Sequence, residues 1–453
     1  MHSIEPPGES QMTPTISPEP SILTTSYRAA FARMDPPPAA SQTHFPALDG
    51  LRAVAFLMVF ACHYLQIPWG WAGVDIFFVL SGFLITGILF DARDQPCRIR
   101  NFYIRRTLRI FPLYYGVLLL LMLLYPVFHW EWNWHWLLWP AYLGNFLRGH
   151  RPFTARSPLQ MLADFQLLSR TFPTIQPYLG HFWSLCIEEQ FYLLWPFAVF
   201  FVRDRRKLLA VCLTCVVVCP LARVVGSHTL PKFMLDQEVL YRWTPFRIDA
   251  LLLGGLLALV RRGPSPWRLL VLARIGFAVL TGSLLLWLAL NPAARHGALG
   301  YVYPPWEMTW SLSFIDLFAA CVIVMALESS SITFRLLNLS PLRWLGRISY
   351  GAYVFHDLLD VEILNLVKRH TGHYRLPSTA LALAITLLLA WASFRWYETP
   401  FIRLKDRLTR SSARPRENRS SPSRSAGPWL APAASSLSTV ASESGSIAPS
   451  TTV

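Results

Sequence analysis

Ionisable side chains occur within long apolar segments of this 453-residue sequence, where they could move protons or bind anions. Arg52 and His63 are spaced by about three helical turns, so a single helix would carry both on one face. A charged group in hydrocarbon costs about 2.5–3.5 kcal/mol on insertion scales, so such groups indicate a site or an ion pair. The alternative is that Arg52 extends to the membrane boundary and His63 packs against another helix.

Acidic side chains in two other apolar segments are candidate partners for this histidine. Asp75 begins one segment, and Glu188 lies on a polar helical stripe with His181 and Tyr192. A carboxylate can fix the tautomer of an imidazole and raise its basicity, so we predict that Asp75 or Glu188 orients His63. Alternatively, Asp75 is an acid favoured at a helix N-terminus by the helix dipole, and Glu188 only links two helices.

Three arginines, Arg105, Arg106 and Arg109, fall within five residues, in a stretch that we interpret as a cytoplasmic loop. Guanidinium groups form paired hydrogen bonds with phosphate oxygens, so this stretch suits a polyphosphate anion. Its alternative roles are a topology signal or binding of anionic lipid.

Later apolar segments carry further polar groups. Arg247 and Asp249 could pair with the adjacent acids Glu188 and Glu189. On a helix over residues 348–367, Ser349, Tyr353, His356 and Asp360 would share one face. For His356 and Asp360, a hydrogen bond between helices is as good an explanation as a role in chemistry.

The composition indicates an integral membrane protein with many spans. Apolar residues make up 53% of the chain and charged residues 15%, and the mean hydropathy is +0.35. These values exclude a nucleic-acid-binding protein, a coiled coil and a disordered chain. The net charge of +15 comes from basic clusters between apolar segments, which we interpret as topology signals. Cys212, Cys215 and Cys219 lie close together without a histidine, so we predict packing and no metal site.

We predict one all-α domain over residues 45–407, a polytopic bundle of about ten transmembrane helices, between disordered cytoplasmic tails at 1–44 and 408–453. The aromatic stretch Trp130–Leu147 would be interfacial or re-entrant, because only then do the basic clusters all face the cytoplasm. The predicted spans are 48–67, 70–90, 110–129, 181–202, 208–226, 244–261, 270–290, 309–327, 348–367 and 377–397.

Six segments in order resemble the acyltransferase-3 family of integral-membrane O-acyltransferases. They are LDGLRAVAFLMVFACH (48–63), GVDIFFVLSGFLITGIL (73–89), FYIRRTLRIFPLYY (102–115), FWSLCIEEQFYLLWP (182–196), FRIDALLLGGLLA (246–258) and LGRISYGAYVFH (345–356). The last segment departs from a common Tyr-Leu-x-His ending, so His356 matches loosely.

The resemblance implies transfer of an acyl group, often acetyl, from acyl-CoA to a hydroxyl of a carbohydrate, glycolipid or glycosylated small molecule. Acyl-CoA, with acetyl-CoA as the expected form, would be a co-substrate, and no bound cofactor is expected. The implied functional positions are Arg52, His63, Asp75 and Glu188, with Arg106 and Arg109 from the basic stretch. The expected location is a bacterial cytoplasmic membrane. Some relatives carry an extracytoplasmic hydrolase-like domain, so such a partner would here be a separate chain.

The leading hypothesis is an O-acyltransferase in which Arg105, Arg106 and Arg109 hold the phosphates of acyl-CoA. His63 would act as a general base or form an acyl-histidine, and Arg52 would bind CoA or an oxyanion. The alternative is a transporter or exporter of a glycan or small molecule that uses the buried charges as a relay. A membrane scaffold would leave those charges unexplained.

Overall fold

The computed structural model describes residues 45–65, 67, 69–128, 137–147, 179–231, 235, 239–290, 305–358 and 375–410. In these ranges the chain is helical and contains no β-strand. The helices are α1 (Pro46–Leu65), α2 (Ala72–Asp91), α3 (Arg98–Phe128), α4 (Trp183–Phe201), α5 (Arg205–Thr229), α6 (Val239–Arg242), α7 (Ile248–Arg261), α8 (Pro266–Leu290), α9 (Pro305–Ala326), α10 (Ile332–Leu337), α11 (Ser340–Phe355), α12 (Arg375–Ala392) and α13 (Thr399–Arg410).

Within the described ranges, 7 helical segments are long and apolar enough to cross a membrane. They comprise α1, α2, most of α3, α5, α8, most of α9, and the continuous stretch from α12 to α13. The chain is therefore an all-α, multi-pass membrane protein, as the composition predicts. Helices also overlap the other three predicted positions. Of these, α4 has 19 residues, α7 has 14 and α11 has 16.

Several boundaries differ from the prediction. Helix α3 begins at Arg98, so the basic stretch is helical and not a loop. Helix α11 ends at Phe355, well short of the predicted end at residue 367, and residues 359–374 lie outside the described ranges. A π-helical turn, Ser393–Glu398, joins α12 to α13, which continues to Arg410 and so into the predicted tail. The remainder of that tail and residues 1–44 are outside the described ranges.

Close helix contacts at glycines set the distances between the elements that carry polar groups. At Gly82 in α2, a Cβ atom would lie 1.7 Å from the carbonyl oxygen of Leu251 in α7. At Gly346 in α11, it would lie 1.8 Å from the carbonyl oxygen of Asp49 in α1. No other residue fits at such a separation. The second contact brings α11 against the helix that carries His63.

Residues 137–147 form turns and a 3₁₀ turn, Gly144–Phe146, and do not form a spanning helix. Side chains from the bundle donate hydrogen bonds to backbone carbonyl groups of this segment. Gln190 Nε2 donates to Tyr142 O at 2.7 Å, and Tyr114 OH donates to Trp139 O at 2.7 Å. Irregular backbone at membrane depth is tolerated where protein satisfies it in this way. Residues 130–136, the rest of the predicted re-entrant segment, are outside the described ranges.

Candidate active site

His63, near the end of α1, contacts a carboxylate from the far end of the sequence. Its Nδ1 lies 2.9 Å from Oδ1 of Asp357, two residues beyond α11. The Asp357 side chain is 1% exposed and that of His63 is 21% exposed, so the imidazole is the accessible member of the pair. An ionised carboxylate only accepts hydrogen bonds, which places the proton of neutral His63 on Nδ1 and the lone pair on Nε2.

Two more histidines surround this pair. The imidazole cluster, as we call His63, His181, His356 and Asp357, has ring centroids 5.1 Å apart for His63 and His356 and 5.0 Å apart for His181 and His356. His181 Nδ1 is 3.5 Å from Asp357 Oδ2. His63, His356 and Asp357 each offer one metal-ligand atom within 4.8 Å of the others. The cluster joins residues from α1, from the turn after α11 and from the 3₁₀ turn before α4.

Polar groups continue from the imidazole cluster along α4, as the helical spacing predicts. Ser184 Oγ and the hydroxyl of Tyr353 are 2.6 Å apart, and that hydroxyl donates to His181 O at 2.9 Å. Further along α4, Ser81 Oγ in α2 donates to Glu188 Oε1 at 2.5 Å. Glu188 is therefore on the predicted stripe, but its hydrogen-bond partner is Ser81 rather than His63.

A second group, the guanidinium group, consists of Arg52, Arg105, Arg106 and Arg109 on α1 and α3. The guanidinium carbon of Arg106 lies 5.0 Å from the ring centroid of Tyr192, and its charge acts on Glu188. Arg52 is held by Asp49, and the charges of Arg106 and Arg109 act on it. Lys405 of α13 adds a cation close enough to interact with Arg105 and Arg109. Arg52 of α1 therefore lies beside the basic stretch of α3.

Asp75 does not contact His63, contrary to the prediction. It forms an ion pair with Arg247, which immediately precedes α7, and both side chains are 0% exposed. Asp249 likewise pairs with Arg223 of α5, with Arg223 Nη2 at 2.8 Å from Asp249 Oδ2. The predicted pairing of Arg247 and Asp249 with Glu188 and Glu189 is therefore wrong. Asp75 and Asp249 are thus each paired with a buried arginine, which compensates their charge in an apolar surrounding.

Asp357 is the site residue that sequence reasoning missed. A continuous helix over 348–367 would place Asp360, one turn beyond His356, on the polar face. Because α11 ends at Phe355, the turn that follows brings Asp357 to His63 instead. Asp360 is outside the described ranges. The adjacent pair His356-Asp357 at the end of an apolar segment was the available signal.

Residues 45–395 match the family model of the acyltransferase domain, and this match contains the imidazole cluster and the guanidinium group. The chain belongs to the acyltransferase-3 family. The resemblance of the six segments is thereby confirmed. No solved structure matches the chain.

Two relatives of this acyltransferase-3 chain come from bacteria. Peptidoglycan O-acetyltransferase OatA of Listeria monocytogenes is 32% identical over 379 residues, which cover 80% of this chain and 56% of the relative. O-acetyltransferase OatA of Staphylococcus aureus is 27% identical over 377 residues, which cover 80% of this chain and 57% of the relative. The chain therefore spans little more than half the length of these relatives.

Proposed function

We propose that this chain is a membrane O-acetyltransferase that moves an acetyl group from acetyl-CoA to a hydroxyl of a cell-envelope carbohydrate. The family and the names of the relatives support acyl transfer to such an acceptor, with peptidoglycan as the first candidate. The observation that carries the proposal is the 2.9 Å contact between His63 Nδ1 and Asp357 Oδ1. It supplies an oriented base, which a poorly nucleophilic sugar hydroxyl requires.

His63 is the base in this proposal. Its Nε2 takes the proton of the sugar hydroxyl as that oxygen attacks the thioester carbonyl. Asp357 stabilises the imidazolium through Nδ1. The C–S bond then breaks, the acetyl group remains on the sugar oxygen, and the imidazolium returns its proton to the departing thiolate. No further reactant is needed.

The guanidinium group is the proposed docking site for the donor phosphates. Arg106 lies over the ring of Tyr192 and its charge interacts with that of Glu188, whereas Arg109 is exposed. Arg52 and His63 lie on α1, and their separation along the helix is ~16 Å. This separation suits a donor whose phosphates and thioester are at opposite ends of a long arm.

Glu188 acts on the donor side in this account. Its carboxyl accepts a hydrogen bond from Ser81, and Arg106 and Arg52 compensate its charge. We therefore assign Glu188 to the positioning of Arg106 and Arg52, and we assign the orientation of His63 to Asp357. Asp75 has a structural role through its ion pair with Arg247.

The test uses the purified full chain in lipid nanodiscs with acetyl-CoA that carries an isotopically labelled acetyl group. A soluble peptidoglycan fragment and an N-acetylglucosamine oligomer serve as acceptors. We expect one labelled ester per modified hydroxyl by mass spectrometry, with an equal amount of free thiol released. Thiol release without labelled acceptor, or labelled acceptor that forms equally without the protein, contradicts the proposal. Mass spectrometry of envelope glycans from cells with and without the gene identifies the natural acceptor.

A further inference from the structure

Two imidazoles of the cluster donate to backbone carbonyl groups, which fixes the position of their lone pairs. His356 Nδ1 lies 2.6 Å from Tyr353 O, and His181 Nε2 lies 3.1 Å from Val354 O. A carbonyl oxygen only accepts, so each of these nitrogens carries a proton. In the neutral rings, His356 Nε2 and His181 Nδ1 are therefore acceptors.

These acceptors adjoin further acceptors. His181 Nδ1 faces Asp357 Oδ2 at 3.5 Å. Within the part of the chain that the structure describes, no hydrogen bond reaches His356 Nε2 or Asp357 Oδ2, and both atoms are buried. Buried polar atoms are normally satisfied, and lone pairs that face one another are satisfied by a shared cation. The imidazole cluster thus has the electronic character of a cation site.

The donor set indicates the class of cation. His63, His356 and Asp357 each offer one ligand atom within 4.8 Å of the others, and two imidazoles with one carboxylate are a set that Zn²⁺ accepts. In tetrahedral geometry with bonds of about 2.0 Å, the ligand atoms around a zinc ion are about 3.3 Å apart. The side chains would therefore move slightly closer together when the ion binds. The 21% exposure of His63 provides a route of entry.

We propose that His63, His356 and Asp357 bind a divalent ion of the zinc class, and that this ion inhibits acetyl transfer. The binding stands independently of the reaction, whereas the inhibition rests on the proposed function. The nitrogen of His63 on the side of Asp357 is Nδ1, so binding of the ion at Nδ1 displaces its proton and replaces the hydrogen bond to Asp357. The one remaining proton of neutral His63 is then on Nε2, the proposed acceptor of the hydroxyl proton, so an imidazole that binds the ion cannot act as the base.

Cobalt is the probe for binding, since Co²⁺ occupies zinc sites and its d–d absorption reports tetrahedral coordination. The full chain in nanodiscs is freed of metal with a chelator and titrated with Co²⁺. We expect one Co²⁺ per chain with a tetrahedral spectrum, displaced by one equivalent of Zn²⁺. If a proton held by His181, and not a metal ion, satisfies the buried acceptors, the titration gives no tetrahedral spectrum. That result overturns the proposal.

His356→Asn is the diagnostic variant. The asparagine amide can keep the hydrogen bond that Nδ1 donates to Tyr353 O, while the ligand nitrogen Nε2 is removed. We expect Co²⁺ affinity to fall at least about tenfold, the lower bound for damage to a metal-binding shell. His228→Asn, at an exposed histidine in the last turn of α5, is the matched control and should bind like the wild type. Equal affinity in His356→Asn and wild type overturns the site.

The inhibitory effect has its own readout. Zn²⁺ at the concentration that displaces Co²⁺ should lower acetyl transfer at least about tenfold in the wild type, because binding and base catalysis exclude each other. Each variant is compared with its own metal-free rate. If Co²⁺ binds but no acetyl transfer is detected without metal, the site stands and the proposed function fails. If transfer occurs and Co²⁺ does not bind, the metal site fails and the proposed function stands.

Discussion

Asp357 Oδ1 and His63 Nδ1 lie 2.9 Å apart although 294 positions separate the two residues in the chain. The contact joins the end of α1 to the turn after α11, and nearer the beginnings of the two helices Gly346 brings the backbone of α11 against Asp49 of α1. It also fixes the tautomer of the accessible imidazole in the site. The proposed chemistry depends on this relationship more than on any other.

Substitution Asp357→Asn should lower the rate of acetyl transfer by about 100-fold or more, because an amide can donate to Nδ1 and force the unreactive tautomer. The Michaelis constant for acetyl-CoA should stay unchanged, since Asp357 is not part of the guanidinium group. Steady-state kinetics with both substrates varied check this. A rise in that constant without a fall in kcat would assign Asp357 to donor binding instead.

Substitution Arg109→Gln should raise the Michaelis constant for acetyl-CoA about tenfold with little change in kcat, the size expected for loss of one charged hydrogen bond. The effect should shrink as salt is added, because the exposed guanidinium is screened. Arg206→Gln, at an exposed arginine in the first turn of α5, is the control and should behave like the wild type. If both variants have the same effect, the loss reflects overall charge and not a donor site.

The buried ion pair between Asp75 and Arg247 should support folding. Arg247→Met leaves a buried carboxylate unpaired and should cost about 3–5 kcal/mol. The pair between Asp91 and Arg262 also joins α2 to a residue that flanks α7, but Asp91 is 58% exposed, so Arg262→Met should cost at most about 1 kcal/mol. Thermal unfolding in detergent measures both. Equal losses would show that the buried pair contributes no more than the exposed one.

Gly82→Ala should separate α2 from α7, because its Cβ atom would lie 1.7 Å from the carbonyl oxygen of Leu251. Overpacking against backbone of this severity should cost at least about 3 kcal/mol. At Gly282 in α8 a Cβ atom meets nothing within 4 Å, so Gly282→Ala should gain about 0.5–1 kcal/mol from helix propensity. We expect the unfolding midpoint of Gly82→Ala to lie below that of the wild type and the midpoint of Gly282→Ala to lie above it. A tolerated Gly82→Ala would contradict the close packing of α2 and α7.

The sequence allowed the membrane class, the helix positions and His63 to be predicted, because hydropathy and helical spacing are local properties. The polar stripe from His181 to Glu188 could be predicted for the same reason. The residues that contact these polar groups could not be predicted in the same way. Asp75 had several opposite charges within reach of a bundle, and a single sequence does not reveal that Arg247 is the one beside it. Asp357 was missed because its position depends on where α11 ends, and helix ends are weakly encoded in an apolar segment.

The most direct measurement is the rate of labelled acetyl transfer by His63→Gln in nanodiscs, with His228→Gln as the control. We expect the rate to fall about 10²–10⁴-fold, the usual contribution of a general base, with acetyl-CoA binding and membrane insertion unchanged. A His63→Gln rate within twofold of the wild type would contradict the assignment of His63 as the base.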